Sequence, residues 1–221
     1  MKHIGIVLAL LVGSGVTGTS EILGQSTGAI AGTVTLEPPP PPRRSANRYP
    51  GGPQVAQVVQ QTSAVVFLEG AVPGAPPQGY QAHAEMVQQD SLFVPSTLAL
   101  MAGGSVSFPN ADPIFHNVFS YSSTKRFDLG RYPKGESRSV TFDEPGFVEV
   151  SCEVHDRMAG VIVVTENPWH AVVADDGSFR IDGVPPGEYT LVAWHVDHDP
   201  VEQRVTVTPG GTARIEVELR R

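Results

Sequence analysis

The chain has little cysteine: Cys152 is the single cysteine among its 221 residues. A disulfide framework is therefore excluded, and so is a lipid-modified cysteine near the N-terminus. In an oxidising compartment an unpaired thiol is open to oxidation unless something holds it. A bound metal ion is one such holder, which makes the surroundings of Cys152 the first place to look for chemistry.

Positive charge is also scarce. Lysine and arginine number 15 against 23 aspartate and glutamate, so the formal net charge is 15 − 23 = −8. If an N-terminal leader containing Lys2 is removed, the charge becomes 14 − 23 = −9. Nucleic acid and anionic membrane surfaces are therefore not expected as partners, whereas cationic proteins would be attracted at low ionic strength.

Long apolar runs are missing apart from one at the N-terminus. Met1-Lys2-His3 precedes a nine-residue apolar core at 4–12, which is too short to span a bilayer. Small residues follow it up to Ser20. The pattern predicts a secretory signal peptide at 1–20, a periplasmic or secreted protein, and no membrane span after signal removal. An uncleaved N-terminal anchor is the alternative.

Glycine (23) and proline (20) are frequent, and short alternating runs replace amphipathic helices. This composition predicts an all-β protein built from short strands and tight turns, as an antiparallel sandwich. The predicted strands include 29–36, 63–70, 116–120, 137–142, 146–152 and 160–164.

The same patterns divide the chain into four parts. We expect the signal peptide at 1–20, a strand and a flexible proline-rich segment at 21–62, a first β domain at 63–165, and a small second β module at 166–221. A core of about 55 residues is close to the lower limit for independent folding. The second module is therefore expected to pack on the first domain or to borrow a strand from it.

A candidate metal centre surrounds Cys152. His155 and Met158 follow it within seven residues, and His116 lies 36 residues earlier in a strand-like context. A thiolate, two imidazoles and a thioether form the ligand set of an electron-transfer copper site, which is trigonal His₂Cys with a weak axial Met. A site closed by its own ligands passes electrons and does not bind substrate, so we expect an electron carrier and not an enzyme.

Three other interpretations of Cys152 are weaker. A buried structural cysteine is the default for a lone thiol, but it does not explain four ligand types together. Zinc sites seldom use a thioether. A catalytic Cys/His pair would need an orienting group or an oxyanion donor, and neither is identifiable in the sequence.

The motifs around these residues resemble the plastocyanin/azurin family of cupredoxins, and the short Cys-x₂-His-x₂-Met loop is most similar to that of amicyanins. The resemblance rests on Phe108-Pro109-Asn110-Ala111-Asp112, His116-Asn117-Val118, Phe127-Asp128-Leu129-Gly130 and 152–158. It implies a Greek-key sandwich that binds one copper ion, Cu(II)/Cu(I), through His116, Cys152, His155 and axial Met158. It also implies that Asn117 ties the ligand loop to its neighbouring strand, and that His155 is the electron exit near the surface. Glu153, Asp156 and Arg157 place charge around that exit, where the family has an apolar patch.

The segment 171–219 is similar to the carboxypeptidase regulatory-like β-sandwich, on the strength of Asp176-Gly177-Ser178-Phe179 and 185–191. The resemblance implies a binding or spacer module without chemistry of its own. Nearby, His170, His195 and His198 either hold a second metal ion or lie in a solvated turn. Trp169 and Trp194 are expected as core or interface anchors.

The sequence thus predicts an exported blue copper protein that carries single electrons between protein redox partners. Two alternatives stay open: a copper carrier for which the ion is cargo, and an extracellular scaffold module with a vestigial site.

Overall fold

The computed structural model describes residues 26–39, 61–74, 76 and 82–221. The predicted signal peptide and residues 40–60 of the proline-rich segment lie outside the described residues. Within the described ranges every regular element is a β-strand, which confirms the predicted all-β class. A search of the same ranges for a helix long and apolar enough to cross a membrane finds none.

The described strands are numbered in chain order. They are β1 Gly28–Leu36, β2 Val65–Leu68, β3 His83–Glu85, β4 Val87–Gln89, β5 Leu92–Val94, β6 Thr97–Met101, β7 Gly104–Pro109, β8 His116–Ser120, β9 Phe127–Tyr132, β10 Ser137–Phe142, β11 Gly146–Cys152, β12 His155–Thr165, β13 His170–Val172, β14 Ser178–Val184, β15 Gly187–His195, β16 His198–Val207 and β17 Thr212–Leu219.

Strands β3 to β12 form one sandwich, which we call the middle module. A five-stranded sheet in the order β6-β12-β11-β8-β9 packs on a three-stranded sheet in the order β10-β7-β3, with the β4–β5 hairpin beside them. Alternation places every second side chain of β11 in the shared core, so Val148, Val150 and Cys152 are all buried. The strand pattern itself therefore points the thiol inward.

The remaining strands form a second sandwich, the terminal module. Its sheets run β14-β1-β17 and β13-β2-β15-β16. Ile30 on β1 and Leu68 on β2 share its core with Trp169, which is 1% exposed. The expected boundaries placed β1 with the proline-rich segment and β2 at the start of the first domain, and the structure differs there. The small C-terminal unit completes its core with two strands that precede the middle module in the chain.

Three strand pairs are parallel, against the expected antiparallel pairing: β1 with β17, β3 with β7, and β6 with β12. Each of these pairs joins strands separated by other elements, whereas the antiparallel pairs β11–β12 and β15–β16 join consecutive strands. Tight hairpins can link only antiparallel strands, so this local pattern of turns did not reveal the parallel pairs.

The two modules share an apolar interface. Val65 of β2 packs with Val161 and Val163 of β12, and all three are buried. The rings of Phe147 and Trp194 stack across the same junction, with centroids 4.1 Å apart and an angle of 6° between planes. Trp169 is thus a core residue and Trp194 an interface residue, as predicted.

Candidate metal centre

The ligand loop is a two-residue turn followed by a bulge. Cys152 ends β11 and pairs directly with His155 at the start of β12, with the turn at 153–154 between them. The preceding residue, Ser151, pairs with Ala159, so three residues of β12 bulge out of the ladder. The bulge brings the imidazole beside the thiol and returns Met158 to the core, where it is 1% exposed.

His116 begins β8, the strand next to β11 in the same sheet. Its Nδ1 lies 3.6 Å from the Sγ of Cys152, and the Nδ1 of His155 lies 3.9 Å from the same sulfur. The two imidazole ring centroids are 4.8 Å apart. Within the described ranges, these three residues are the one group of histidine, cysteine and carboxylate side chains whose ligand atoms converge in this way.

These distances can be compared with what a metal ion requires. A metal–nitrogen bond of about 2.0 Å and a metal–sulfur bond of about 2.3 Å at a trigonal angle give a nitrogen–sulfur separation of about 3.7 Å. The two observed separations lie on either side of that value. The three donors therefore fit a single small ion, and a soft thiolate with two imidazoles suits copper.

Two further predicted site residues lie close to this group. Met158 packs in the same buried cluster as Cys152, and its role as axial ligand stays a prediction. Asn117 accepts a hydrogen bond through its side-chain oxygen from the backbone N–H of Glu153, at 2.8 Å. This bond ties the turn between the two loop ligands to strand β8.

A buried carboxylate, to which the sequence analysis gave no role, contacts the ring nitrogen of His116 that faces away from Cys152. The Oδ2 atom of Asp112 lies 2.8 Å from the Nε2 of His116. The same carboxylate accepts hydrogen bonds from the backbone N–H groups of Asp90 and Ser91. The short spacing was a signal for this contact in the sequence, because Asp112 precedes His116 by only four residues.

Asn110 fixes the conformation of that loop. Its side-chain nitrogen donates to the carbonyl oxygens of Ile114 and Tyr132, at 2.8 and 3.0 Å. Its side-chain oxygen accepts from the backbone N–H of Asp112 at 2.9 Å. Asn110 is 2% exposed. The segment that leads to the first candidate ligand is therefore held in place before any ion binds.

One side of the group faces solvent. His116 is fully buried and Cys152 nearly so, whereas His155 is half-buried. Phe115, which precedes the first histidine, is 58% exposed, and Val154, which precedes the second, is 38% exposed. The charge of Glu153 beside this face is paired with Arg131 at 3.2 Å. Apolar surface thus adjoins both candidate ligands in spite of the charged residues of the loop.

The other histidines do not join this group. His195 and His198 are buried at 5% and 8% exposure, with their Nδ1 atoms 2.8 Å apart, so the solvated-turn prediction is wrong for them. His170 contacts the hydroxyl of Thr165 through Nδ1 at 3.0 Å. Burial lowers the pKa of His170. A second metal at these three residues would lack the third converging donor that the first group has, among the residues described.

Comparison with known protein families gives one match. Residues 156–220 match the carboxypeptidase regulatory-like domain. The matched range begins within β12 of the middle module and covers the whole C-terminal part of the terminal module. No curated protein sequence matches the chain.

Solved structures similar to this chain include the following three. A purple cupredoxin from Nitrosopumilus maritimus is 21% identical, with 37% of this chain and 99% of that chain covered and a TM-score of 0.34. A copper-containing nitrite reductase from Thermus scotoductus SA-01 is 23% identical, with 43% and 24% covered and a TM-score of 0.36. A methionine-to-alanine variant of amicyanin in its Cu(I) form is 20% identical, with 45% and 97% covered and a TM-score of 0.36. The carboxypeptidase regulatory-like resemblance predicted from the sequence is confirmed by the family match.

Proposed function

We propose that this protein is an exported type 1 copper protein that carries single electrons between protein redox partners. The observation that supports it is the convergence of one thiol sulfur and two Nδ1 atoms at separations that suit a single copper ion. The proposed ligands are His116, Cys152 and His155, with Met158 as the axial ligand. A copper ion bound there would supply a one-electron couple between Cu(II) and Cu(I).

The surrounding chain suits repeated electron transfer because it holds the donors in a fixed arrangement. Cys152 lies on the core face of β11, and Asn117 holds the turn that follows it. The second donor, His116, is fully buried in a sheet and held by Asp112. Donors that need not move when the charge of the ion changes keep the reorganisation small, which favours transfer.

The half-buried His155 is the proposed point of electron exit. Phe115 and Val154 provide exposed apolar surface next to the two candidate ligands. A partner docking there would bring its own redox centre close to the imidazole. The excess of acidic residues, which gives the chain a net charge of −8, would attract partners with a cationic surface.

A carrier is favoured over an enzyme because the proposed ligands close the site. With His116, Cys152, His155 and Met158 all bound, no coordination position is left for a substrate. The terminal module, which has a separate core, is proposed as a binding or spacer module. The segment 1–20 is proposed as the export signal, and a periplasmic or secreted location follows from it.

Copper titration with visible absorption spectroscopy tests this function. One equivalent of Cu(II) should produce an intense thiolate-to-copper charge-transfer band, which a mild reductant bleaches and an oxidant restores. Cys152→Ser should abolish the band, whereas His83→Ala, at an exposed histidine of β3, should keep it. Tight copper binding without a reversible band would favour the cargo alternative. Absence of tight binding would favour the vestigial scaffold.

A further inference from the structure

The loop between β7 and β8 carries a buried carboxylate whose contacts are all with N–H groups. Asp112 is 6% exposed. Its Oδ1 accepts from the backbone N–H of Asp90 at 2.7 Å, and its Oδ2 accepts from that of Ser91 at 2.9 Å. The Nε2 of His116 lies 2.8 Å from Oδ2. A carboxylate that accepts three N–H bonds is strongly favoured in its charged form.

The two backbone donors lie in the two-residue turn of the β4–β5 hairpin. Asp90 and Ser91 connect β4 to β5, and both have positive φ, at 55° and 57°. The left-handed region costs a residue other than glycine of order 1–3 kcal/mol. The N–H groups of successive residues in such a turn can form an anion-binding concavity. Here that concavity holds the carboxylate of Asp112.

The charge state of the carboxylate follows from its partners. Two backbone N–H groups, which can only donate, and the Nε2 of His116 meet its two oxygens, so the carboxylate accepts hydrogen bonds and is favoured as the anion. Because an anion can only accept hydrogen bonds, the Nε2 of His116 must carry the proton in this contact.

We propose that Asp112 is the positioning residue of this site: it fixes the tautomer and orientation of His116 so that Nδ1 faces the metal, and it lowers the reduction potential. The proposal depends on the proposed copper site for its second part only. The orientation is visible in the structure, where Nε2 faces Asp112 and Nδ1 faces the sulfur of Cys152.

The effect on the potential follows from electrostatics. A hydrogen bond from Nε2–H to an anion makes the opposite ring nitrogen a stronger donor to a metal. The negative charge also stabilises Cu(II), which has the higher charge, more than Cu(I). Removing the charge should therefore weaken Cu(II) binding more than Cu(I) binding and raise the potential.

The first test measures the reduction potential of Asp112→Asn beside a matched control. Asp128→Asn removes the same charge from the same module, at an exposed aspartate that accepts from the backbone N–H of Gly130 at 2.8 Å and contacts none of the proposed ligands. We expect Asp112→Asn to lower the preference for Cu(II) about tenfold, a rise of about 59 mV for one electron. Asp128→Asn should shift it far less. Equal shifts in the two variants would overturn the effect on the potential.

The second test needs no copper. Nitrogen-15 NMR of the metal-free protein reads which ring nitrogen of His116 carries a proton. We expect the proton on Nε2, with slow solvent exchange that becomes at least about tenfold faster in Asp112→Ala. A proton on Nδ1 alone would overturn the proposal even if the protein is blue. A protein without any copper band would instead refute the proposed function, while the tautomer would still decide the role of Asp112.

Discussion

Two pairs of histidines come together in this protein, and they differ in what their ring nitrogens face. In the middle module, the Nδ1 atoms of His116 and His155 both face the sulfur of Cys152. In the terminal module, the Nδ1 atoms of His195 and His198 face each other at 2.8 Å. We call these the sulfur-facing pair and the self-bonded pair.

The outer nitrogens of the self-bonded pair are also occupied. The Nε2 of His195 contacts the carbonyl oxygen of Thr62 at 3.1 Å, and that of His198 contacts the carbonyl oxygen of Glu37 at 2.9 Å. Carbonyl oxygens only accept, so each Nε2 donates its proton in these contacts. These bonds link the two ends of the proline-rich segment to the β15–β16 hairpin.

The difference shows that close histidines alone do not make a metal site. The sulfur-facing pair has a third donor and leaves both Nδ1 atoms for an ion, whereas the self-bonded pair satisfies its own nitrogens. We therefore expect the first pair to determine metal binding and the second to determine stability.

Replacing one histidine of each pair by alanine should separate the two roles, and the largest difference between the variants is expected in copper affinity. A residue that hydrogen-bonds a metal ligand is typically worth about 10–100-fold in metal affinity, so loss of the ligand itself in His116→Ala should cost more than about 100-fold. His198→Ala should bind one equivalent of copper with an unchanged spectrum. Competition titration against a chelator of known affinity measures both. Copper loss in His198→Ala would contradict the division of roles.

The stability of the metal-free protein should show the reverse order. His198→Ala removes two hydrogen bonds and leaves the carbonyl oxygen of Glu37 without this partner, which should cost about 2 kcal/mol. His155→Ala removes a half-buried ring whose described hydrogen-bond partner is the thiol of Cys152, and should cost about 0.5 kcal/mol. Urea unfolding of both variants gives the comparison. A larger loss in His155→Ala would mean that the loop is a structural element in its own right.

The sequence revealed the sulfur-facing pair because most of its chemistry is local. Cys152, His155 and Met158 fall within seven residues, and the predicted bounds of β8, β10 and β11 agree with the structure. The self-bonded pair was not predicted as buried. Its partners Thr62 and Glu37 lie 133 and 161 residues away from the histidines they contact, and no local pattern encodes such pairing.

The lack of a local pattern for distant contacts also explains the other features that were not predicted. The contact of the Asp90-Ser91 turn with Asp112 depends on how a hairpin packs on a loop, and the residue types of the turn do not encode that packing. The placement of β1 and β2 in the terminal module depends on pairing with strands more than 100 residues later. Periodicity identifies a strand and its buried face, but it does not name the partner strand.

Acid should destabilise the protein through the self-bonded pair. Burial lowers the pKa of His195, and the positive charges at His198 and Arg221 act in the same direction. The hydrogen bond to Thr62 and the carboxylate of Asp197 oppose this shift without reversing it. His195 in the folded protein thus resists a protonation that the unfolded chain accepts near pH 6.5.

Because the unfolded state then binds more protons, the free energy of unfolding should fall as the pH drops below about 6.5. One such group contributes a slope of at most about 1.4 kcal/mol per pH unit. His195→Gln should make the slope between pH 6.5 and 5 shallower, in urea unfolding of metal-free protein. An unchanged slope would assign the acid sensitivity to His170, whose pKa is also lowered by burial.

The smallest expected effect compares a buried asparagine from each module. Asn117 holds the ligand turn through the backbone N–H of Glu153, so Asn117→Ala should cost about 1 kcal/mol of stability and up to about tenfold in copper affinity.

Asn167 in the terminal module donates to the carbonyl oxygens of Leu68 and Gly70, at 2.6 and 2.8 Å. Asn167→Ala should therefore lower stability at least as much and leave copper affinity unchanged. Chelator competition and urea unfolding on the two variants separate these effects. If both weaken copper binding equally, the two modules are coupled through the apolar interface at Val65, and the roles of the two histidine pairs are not independent.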